Sequence, residues 1–302
     1  MKKKALTIVL AVFLFLFALG LTLYPVISNY VNSKYASEIH TAYEEIIAEA
    51  DNSALVAALE AAIAYNDAIR PGSTFAESYS QEAIRAASEN YEEQLNISGS
   101  GIMGYVEIPK IGVNLPIYHG TGNDSLDRGV GHLLGSSLPV GGESTHAILT
   151  GHSGMATQKM FTDLEQLIEG DVFYLQVLDE TLAYQVDSIQ VVLPHDTSFL
   201  GIYSGEDYCT LVTCTPYGIN THRLLVRGTR IPYEEAEVIV EEQQEVELPQ
   251  STWEEKYIQG IWLGILAILV AALLVLIAML VKQIRTERAY RAKHGGGKYE
   301  RK

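Results

Sequence analysis

The sequence predicts a mainly β domain, folded as a closed barrel or a sandwich, that follows a helical region and is flanked by two transmembrane helices. After Gly101 the chain consists of short runs rich in Val, Ile, Leu and Tyr, separated by Gly, Pro and Asp, which is typical of a many-stranded domain. Residues 5–24 and 258–281 carry no charge, and each stretch is long enough to cross a hydrocarbon core of ~30 Å as a helix.

The first uncharged stretch follows Lys2, Lys3 and Lys4. Its apolar run exceeds the ~7–15 residues of a signal-peptide core, and no clear A-x-A cleavage site follows it. These observations favour an uncleaved membrane anchor at residues 1–28, with a secretory signal segment as the alternative.

The second stretch predicts a C-terminal transmembrane helix at residues 257–281, followed by a tail at 282–302 that contains eight Lys and Arg residues. A basic cluster beside a span marks its cytoplasmic side. We therefore expect the protein in the cell membrane, with both termini in the cytoplasm and the residues between the spans outside the cell.

The region between the two tails is strongly acidic. It holds only ten of the 21 Lys and Arg residues but 35 of the 37 Asp and Glu residues. Because nucleic-acid binding depends on neutralising phosphates with basic side chains, this balance excludes a nucleic acid as partner.

Residues 29–100 are predicted to be helical, because Leu55, Leu59 and Ile63 recur at helical spacing. Asn52 or Ser53 caps one helix, and a break at 70–73 precedes a second helix at about 80–95. Two interpretations remain open: a stalk that lifts the domain from the membrane, or helices that pack against the domain and present a loop at 71–80 to its surface.

Residues 101–233 form the predicted β domain, with one short helix at 161–168. The acidic residues 234–256 are predicted to be a solvated linker. The candidate strands span residues 103–108, 113–117, 131–133, 147–150, 172–178, 182–193, 208–213 and 223–229.

Cys209 and Cys214 are the only cysteines. On one strand, residues five apart point to opposite faces and lie roughly 16 Å apart, too far for a disulfide. We therefore expect Cys214 to be a free thiol and Cys209 to be a small core residue.

Three residues stand where short apolar runs meet turns: Cys214, His152 and Arg223. A thiolate is a strong nucleophile, an imidazole protonates a departing amine, and a guanidinium stabilises an oxyanion or holds a substrate backbone. These residues are the candidate catalytic set. Five further histidines (His119, His132, His146, His195 and His222) lack the spacing of a zinc site, and we expect neither a metal nor a cofactor.

The motifs around these residues resemble those of sortases. Residues 210–214 (TLVTC) match the cysteine signature, residues 150–152 (TGH) the histidine motif, and residues 220–227 (NTHRLLVR) the arginine strand. Residues 104–120, 131–142 and 182–187 look like the class C branch, which builds pili. The resemblance covers roughly residues 101–232.

The resemblance implies an eight-stranded β-barrel transpeptidase on the outer face of a Gram-positive cell membrane. Its partners would be pilins with LPxTG-like sorting signals. Cys214 would form a thioester after the threonine, and an acceptor lysine amine of the next pilin would resolve it into an isopeptide bond. His152 would act as acid and then base, while Arg223 would hold the substrate or the oxyanion.

The sequence departs from the class C pattern at one point. Such sortases commonly close the site with a lid that carries an Asp-Pro-aromatic motif, and no Asp-Pro pair precedes Gly101. Residues 70–80 lie where a lid would, and they offer Phe75 and Tyr79 as candidate plugs.

Three other functions fit the same residues: a sortase that anchors single surface proteins to the cell wall, a thiol hydrolase in which water resolves the acyl-enzyme, and a non-catalytic scaffold for pilus assembly.

Overall fold

A computed structural model of the chain describes residues 2–69, 90–153, 158–246 and 253–294. Eight strands close into a barrel in the order β1-β2-β3-β4-β7-β8-β6-β5. Each predicted strand overlaps one observed strand, and the β domain is a barrel rather than a sandwich. The strands are β1 (Ile102–Ile108), β2 (Val113–His119), β3 (Val130–His132), β4 (Thr145–Thr150), β5 (Val172–Val177), β6 (Glu180–Val192), β7 (Asp207–Thr215) and β8 (His222–Ile231).

Strand β7 separates two apolar clusters. Cys209 and Leu211 belong to the main core inside the barrel, whereas Val212 belongs to a smaller cluster with Ile148 and Leu225. Because side chains alternate between the faces of a strand, Thr210, Val212 and Cys214 share the outer face. The nucleophile candidate therefore faces away from the core.

Two helices precede the barrel, α1 (Lys2–Glu49) and α2 (Asn52–Ala68). The N-cap of α2 is Asp51, whose carboxylate accepts a hydrogen bond from the backbone N–H of Ser53 at 3.2 Å. The predicted caps Asn52 and Ser53 lie one and two residues inside the helix, because the acidic side chain before them satisfies the free N–H.

Both helices pack against the barrel. The Tyr43 hydroxyl of α1 accepts a hydrogen bond from the backbone N–H of Leu178 at 3.3 Å. The Asn66 amide of α2 accepts from the N–H of Leu138 at 2.7 Å and donates to its carbonyl at 3.2 Å. Of the two interpretations of residues 29–100, packing is correct for the described helices. The loop at 71–80, with Phe75 and Tyr79, lies outside the described residues.

The acidic segment after the barrel differs from the prediction. A helix forms at Tyr233–Val246, and Ala236, Ile239 and Val240 pack against β5 and β6. These three residues recur at helical spacing and form an apolar stripe that the many glutamates obscured. The linker prediction is therefore wrong for residues 234–246.

The predicted helix at 161–168 is also wrong. Only a 3₁₀ turn forms there, at Leu164–Gln166. The backbone N–H groups of Leu164, Gln166 and Leu167 each bond to the carbonyl three residues earlier, which is the pattern of 3₁₀ turns and not of an α-helix. A further short helix, α3 (Asn123–Leu126), lies between β2 and β3. The helix at Tyr233–Val246 is α4, and the C-terminal helix at Trp253–His294 is α5.

One helix among the described residues is long and apolar enough to cross a membrane, at Trp262–Tyr290 within α5. Among the described residues of α1, the apolar stretch is shorter, Ala11–Gly20. The C-terminal span therefore has structural support, while the N-terminal span stays a prediction. The described residues within Met1–Ile27 and Pro249–Lys302 form one compact unit, and those within Ser28–Leu248 form another.

Candidate active site

Cys214 and Arg223 meet across two adjacent strands. Strands β7 and β8 are antiparallel, and Cys214 is the register partner of Arg223. Side chains directly opposite each other in such a pair lie on the same face, with Cβ atoms ~5 Å apart. The thiol and the guanidinium therefore share one end of the outer face, as the sequence motifs predicted.

His152 lies just beyond the neighbouring strand on the other side of β7. Strands β4 and β7 are parallel, with Thr150 paired to Val212, so the same register continued by two residues brings His152 level with Cys214. Gly151 donates its N–H to the carbonyl of Val212 at 3.0 Å and accepts from the Thr213 hydroxyl at 2.8 Å. These bonds tie the histidine turn to the cysteine strand.

The ring of Phe161 packs so closely against the turn that only glycine fits at position 151, directly before the histidine. A Cβ atom at position 151 would lie 2.6 Å from a ring carbon of Phe161, far inside van der Waals contact. The packing of Phe161 therefore explains the glycine in the histidine motif and fixes the path of the turn that carries His152.

Arg223 retains free hydrogen-bonding capacity. Within the described part of the chain, its guanidinium donates to the carbonyls of Asn220 at 3.3 Å and His222 at 3.0 Å, both through Nη1. A guanidinium carries five N–H donors, so the donors on Nε and Nη2 are available to a substrate carbonyl or an oxyanion.

Sequence reasoning missed Asp127, at the end of α3. Its Oδ1 lies 3.7 Å from Nε2 of His152, and the two side chains are 63% and 34% exposed. This separation is too long for a hydrogen bond but allows an ion pair when the imidazole is protonated. No local motif marked Asp127, because it reaches His152 only through the fold.

The two cysteines are unpaired, as the strand geometry predicted. Cys209 is fully buried, and burial raises the pKa of its thiol well above the ordinary value. Cys214 is partly exposed, so only its sulfur is open to substrate. Among the residues that the structure describes, no group of three or more His, Cys, Asp or Glu side chains is arranged to hold a metal ion.

Comparison with known proteins points to one family. A sortase domain model matches residues 106–231. Sortase C of Streptococcus pneumoniae, studied for its catalysis and pilin substrate specificity, is 43% identical with a TM-score of 0.58, covering 65% of this chain and 97% of that one. Sortase C1 of Streptococcus agalactiae is 43% identical with a TM-score of 0.60, covering 65% and 98%.

A curated relative gives a more distant match. Sortase D of Bacillus subtilis is 31% identical over 131 residues, which are 42% of this chain and 63% of that protein. The chain thus matches less than two thirds of this relative's length, whereas it matches nearly all of the two crystallised class C chains.

Proposed function

Because the chain belongs to the sortase family of cysteine transpeptidases, we propose that it cleaves LPxTG-like sorting signals at Cys214 and joins pilin subunits through lysine isopeptide bonds. The observation that carries the proposal is the convergence of Cys214, His152 and Arg223 at one end of one barrel face. The likeness to two class C sortases favours pilins over other surface proteins as substrates.

The first half of the reaction forms a thioester. The Cys214 thiolate attacks the carbonyl carbon of the threonine in the sorting signal, and the carbonyl oxygen becomes an oxyanion. Arg223 donates hydrogen bonds to that oxygen through Nε or Nη2. As the C–N bond breaks, protonated His152 gives its proton to the departing amine, and the donor protein remains attached to Cys214.

The second half releases the product. A neutral lysine amine of the acceptor pilin attacks the thioester carbonyl, and His152 accepts the proton that the amine loses. The C–S bond breaks, the Cys214 thiolate leaves, and an isopeptide bond links the two proteins. The same residue thus serves as acid in one half and as base in the other.

We further propose that α5 holds the protein in the cell membrane with the barrel on its outer face and both termini inside. The apolar length of α5 and the basic residues after it support this orientation. Protease added to intact cells should degrade the barrel but spare an epitope tag after residue 302. Loss of the tag signal while the barrel stays intact would indicate the opposite orientation.

The decisive experiment incubates the purified full chain in detergent with a sorting-signal pilin and a second pilin that supplies the lysine. We expect covalent ladders with the wild-type protein and none with Cys214→Ala. Cys209→Ala is the matched control, because it removes the other thiol of the same strand and should keep the activity.

The products separate the alternative functions. A free threonine carboxylate in the presence of excess amine would identify a hydrolase. Acceptance of a cell-wall-type amine without ladders would identify an anchoring sortase. Unchanged pilus assembly in cells that carry Cys214→Ala would identify a scaffold, and each of these results would contradict the proposal.

A further inference from the structure

The outer face of β4, β7 and β8 is divided into three zones along the strands. The catalytic candidates Cys214 and Arg223 occupy one end. Ile148, Val212 and Leu225 form an apolar patch in the middle, and Leu200 from the β6–β7 loop (residues 193–206) packs on it. The far end is polar; its residues are His146, Tyr208, Thr210 and Arg227, which the strand registers bring together.

The polar zone contains a buried histidine that the proposed reaction does not use. His146 is fully buried. Its Nδ1 lies 2.8 Å from the carbonyl oxygen of Gly201, in the β6–β7 loop, and its Nε2 lies 2.6 Å from Oγ1 of Thr210. The side chain therefore bridges the loop and the cysteine strand.

The chemistry of the partners assigns the protons. A carbonyl only accepts hydrogen bonds, so Nδ1 carries the proton and donates it to Gly201. Burial lowers the pKa of His146 to about 4, so the ring is neutral at physiological pH and Nε2 is an acceptor. The Thr210 hydroxyl therefore donates to Nε2, and this bond orients the ring toward the loop.

A second set of contacts holds the same part of the loop. The ring of Tyr203, in the loop, lies 6.0 Å from that of Tyr208 in an edge-on arrangement. The ring of Tyr208 also lies 5.7 Å from the His146 ring and 4.1 Å from the Arg227 guanidinium. Side chains of the polar zone thus hold the loop at Gly201 and at Tyr203.

The loop leaves the sheet beside the catalytic end. Its first residue follows Val192, the register partner of Arg223. Thr210 precedes Cys214 by four residues on the same face, a distance of roughly 13 Å along the strand. The loop rejoins the sheet at Asp207, the first residue of β7, so it runs from the catalytic end of the face to the polar zone, where Gly201 is bonded to His146.

We propose that His146 and Thr210 are positioning residues that pin the β6–β7 loop at Gly201 and thereby set the width of the groove that receives the sorting signal beside Cys214. This inference rests on the proposed function. It assigns no chemical step to either residue, because neither lies at the reacting end of the face.

Thr210→Val tests the anchor with little change in side-chain volume, and Thr210→Ser restores the hydroxyl. Since loss of a buried hydrogen bond and release of the loop weaken substrate binding, we expect Thr210→Val to raise KM for an LPxTG peptide about tenfold. We expect kcat to stay within about twofold, because the candidate catalytic residues lie on or beside the strands. Thr210→Ser should behave as wild type.

Two further measurements separate positioning from general stability. Discrimination between the LPxTG peptide and the same peptide with alanine in place of leucine should fall in Thr210→Val, and hydrogen exchange should accelerate in residues 193–206 alone. Tyr43→Phe is the control, because it removes a hydroxyl hydrogen bond between α1 and the barrel without touching the loop. It should change neither discrimination nor loop exchange.

Either of two results would overturn the inference: a Thr210→Val protein with the KM and loop exchange of Tyr43→Phe, or a Thr210→Ser protein as impaired as Thr210→Val. A wild-type protein that acts on no sorting-signal peptide would refute the proposed function instead. In that case the exchange measurement alone still decides whether Thr210 and His146 pin the loop.

Discussion

Cys214 on β7 is the register partner of Arg223 on β8, so a nucleophile and a permanent cation face the same side of the sheet. In the proposed reaction, this cation donates hydrogen bonds to the oxyanion that forms when the sulfur attacks. The pair is therefore the part of the site whose chemistry depends most directly on strand register.

Replacing Arg223 with Lys should reduce kcat by about 10²–10³-fold, because a single ammonium does not reproduce the donors of a planar guanidinium at a developing oxyanion. The measurement is steady-state transpeptidation of a sorting-signal peptide. Arg230→Lys is the matched control, since Arg230 lies at the other end of β8 and its replacement should leave kcat nearly unchanged. Near-normal turnover in Arg223→Lys would remove Arg223 from the reaction.

The two thiols should differ sharply in reactivity. In the folded protein we expect an alkylating reagent to modify Cys214 at least about a hundredfold faster than Cys209. Cys209 is fully buried, and burial raises the pKa of its thiol. Mass spectrometry should find one modified cysteine in native buffer and two in concentrated guanidinium chloride. Folded Cys214→Ala should take up no reagent, and rapid labelling of Cys209 would contradict the inward orientation.

Much of the fold was predictable because its signals are local. The strand ends around Cys214 and Arg223 follow from short apolar runs that stop at turn residues, and pairing of consecutive strands is the common outcome for β7 and β8. The resemblance of the motifs then supplied the proposed roles of these residues. Neither step required knowledge of contacts between distant parts of the chain.

The missed features depend on such distant contacts. Asp127 approaches His152, and His146 bridges Gly201 and Thr210, yet neither residue stands in a pattern that sequence periodicity detects. The helix at Tyr233–Val246 was missed for another reason: its apolar stripe of Ala236, Ile239 and Val240 is narrow and surrounded by glutamates. The acidic composition of this segment favoured a linker, whereas its packing against the barrel stabilises a helix.

The docking of α2 should depend on one side chain. Asn66 satisfies both the N–H and the carbonyl of Leu138 in a buried setting, so Asn66→Ala leaves two buried polar groups without partners. We expect a loss of about 2–4 kcal/mol in the free energy of unfolding, measured by urea titration of the full chain in detergent. Asp67→Ala, at the exposed neighbouring position, should change it by less than about 0.5 kcal/mol.

Two buried histidines should make stability depend on pH. Burial lowers the pKa of His132 and of His146 from 6.5 to about 4. The neutral rings are hydrogen-bonded to the carbonyls of Ser137 and Gly201. In the unfolded chain both imidazoles take up a proton as the pH falls through about 6.5, whereas in the folded protein they stay neutral until about pH 4.

The sign of the effect follows from this difference in bound protons. The unfolded state binds more protons between about pH 6.5 and 4, so the full stability is present above that window and falls as the pH drops through it. The loss is at most about 3 kcal/mol for each histidine. Asp207 opposes part of it, because burial raises the pKa of its carboxyl and its protonation at low pH relieves a buried charge.

Unfolding free energies at several pH values between 7.5 and 4.5 test this account. We expect a steady decrease below pH 6.5 in the wild-type protein and a decrease about half as steep in His146→Gln, which keeps one buried histidine. His195→Gln, at an exposed loop position, should follow the wild-type curve. If stability stayed constant down to pH 4.5, or if His195→Gln flattened the curve as much as His146→Gln, the dependence would not arise from the buried rings.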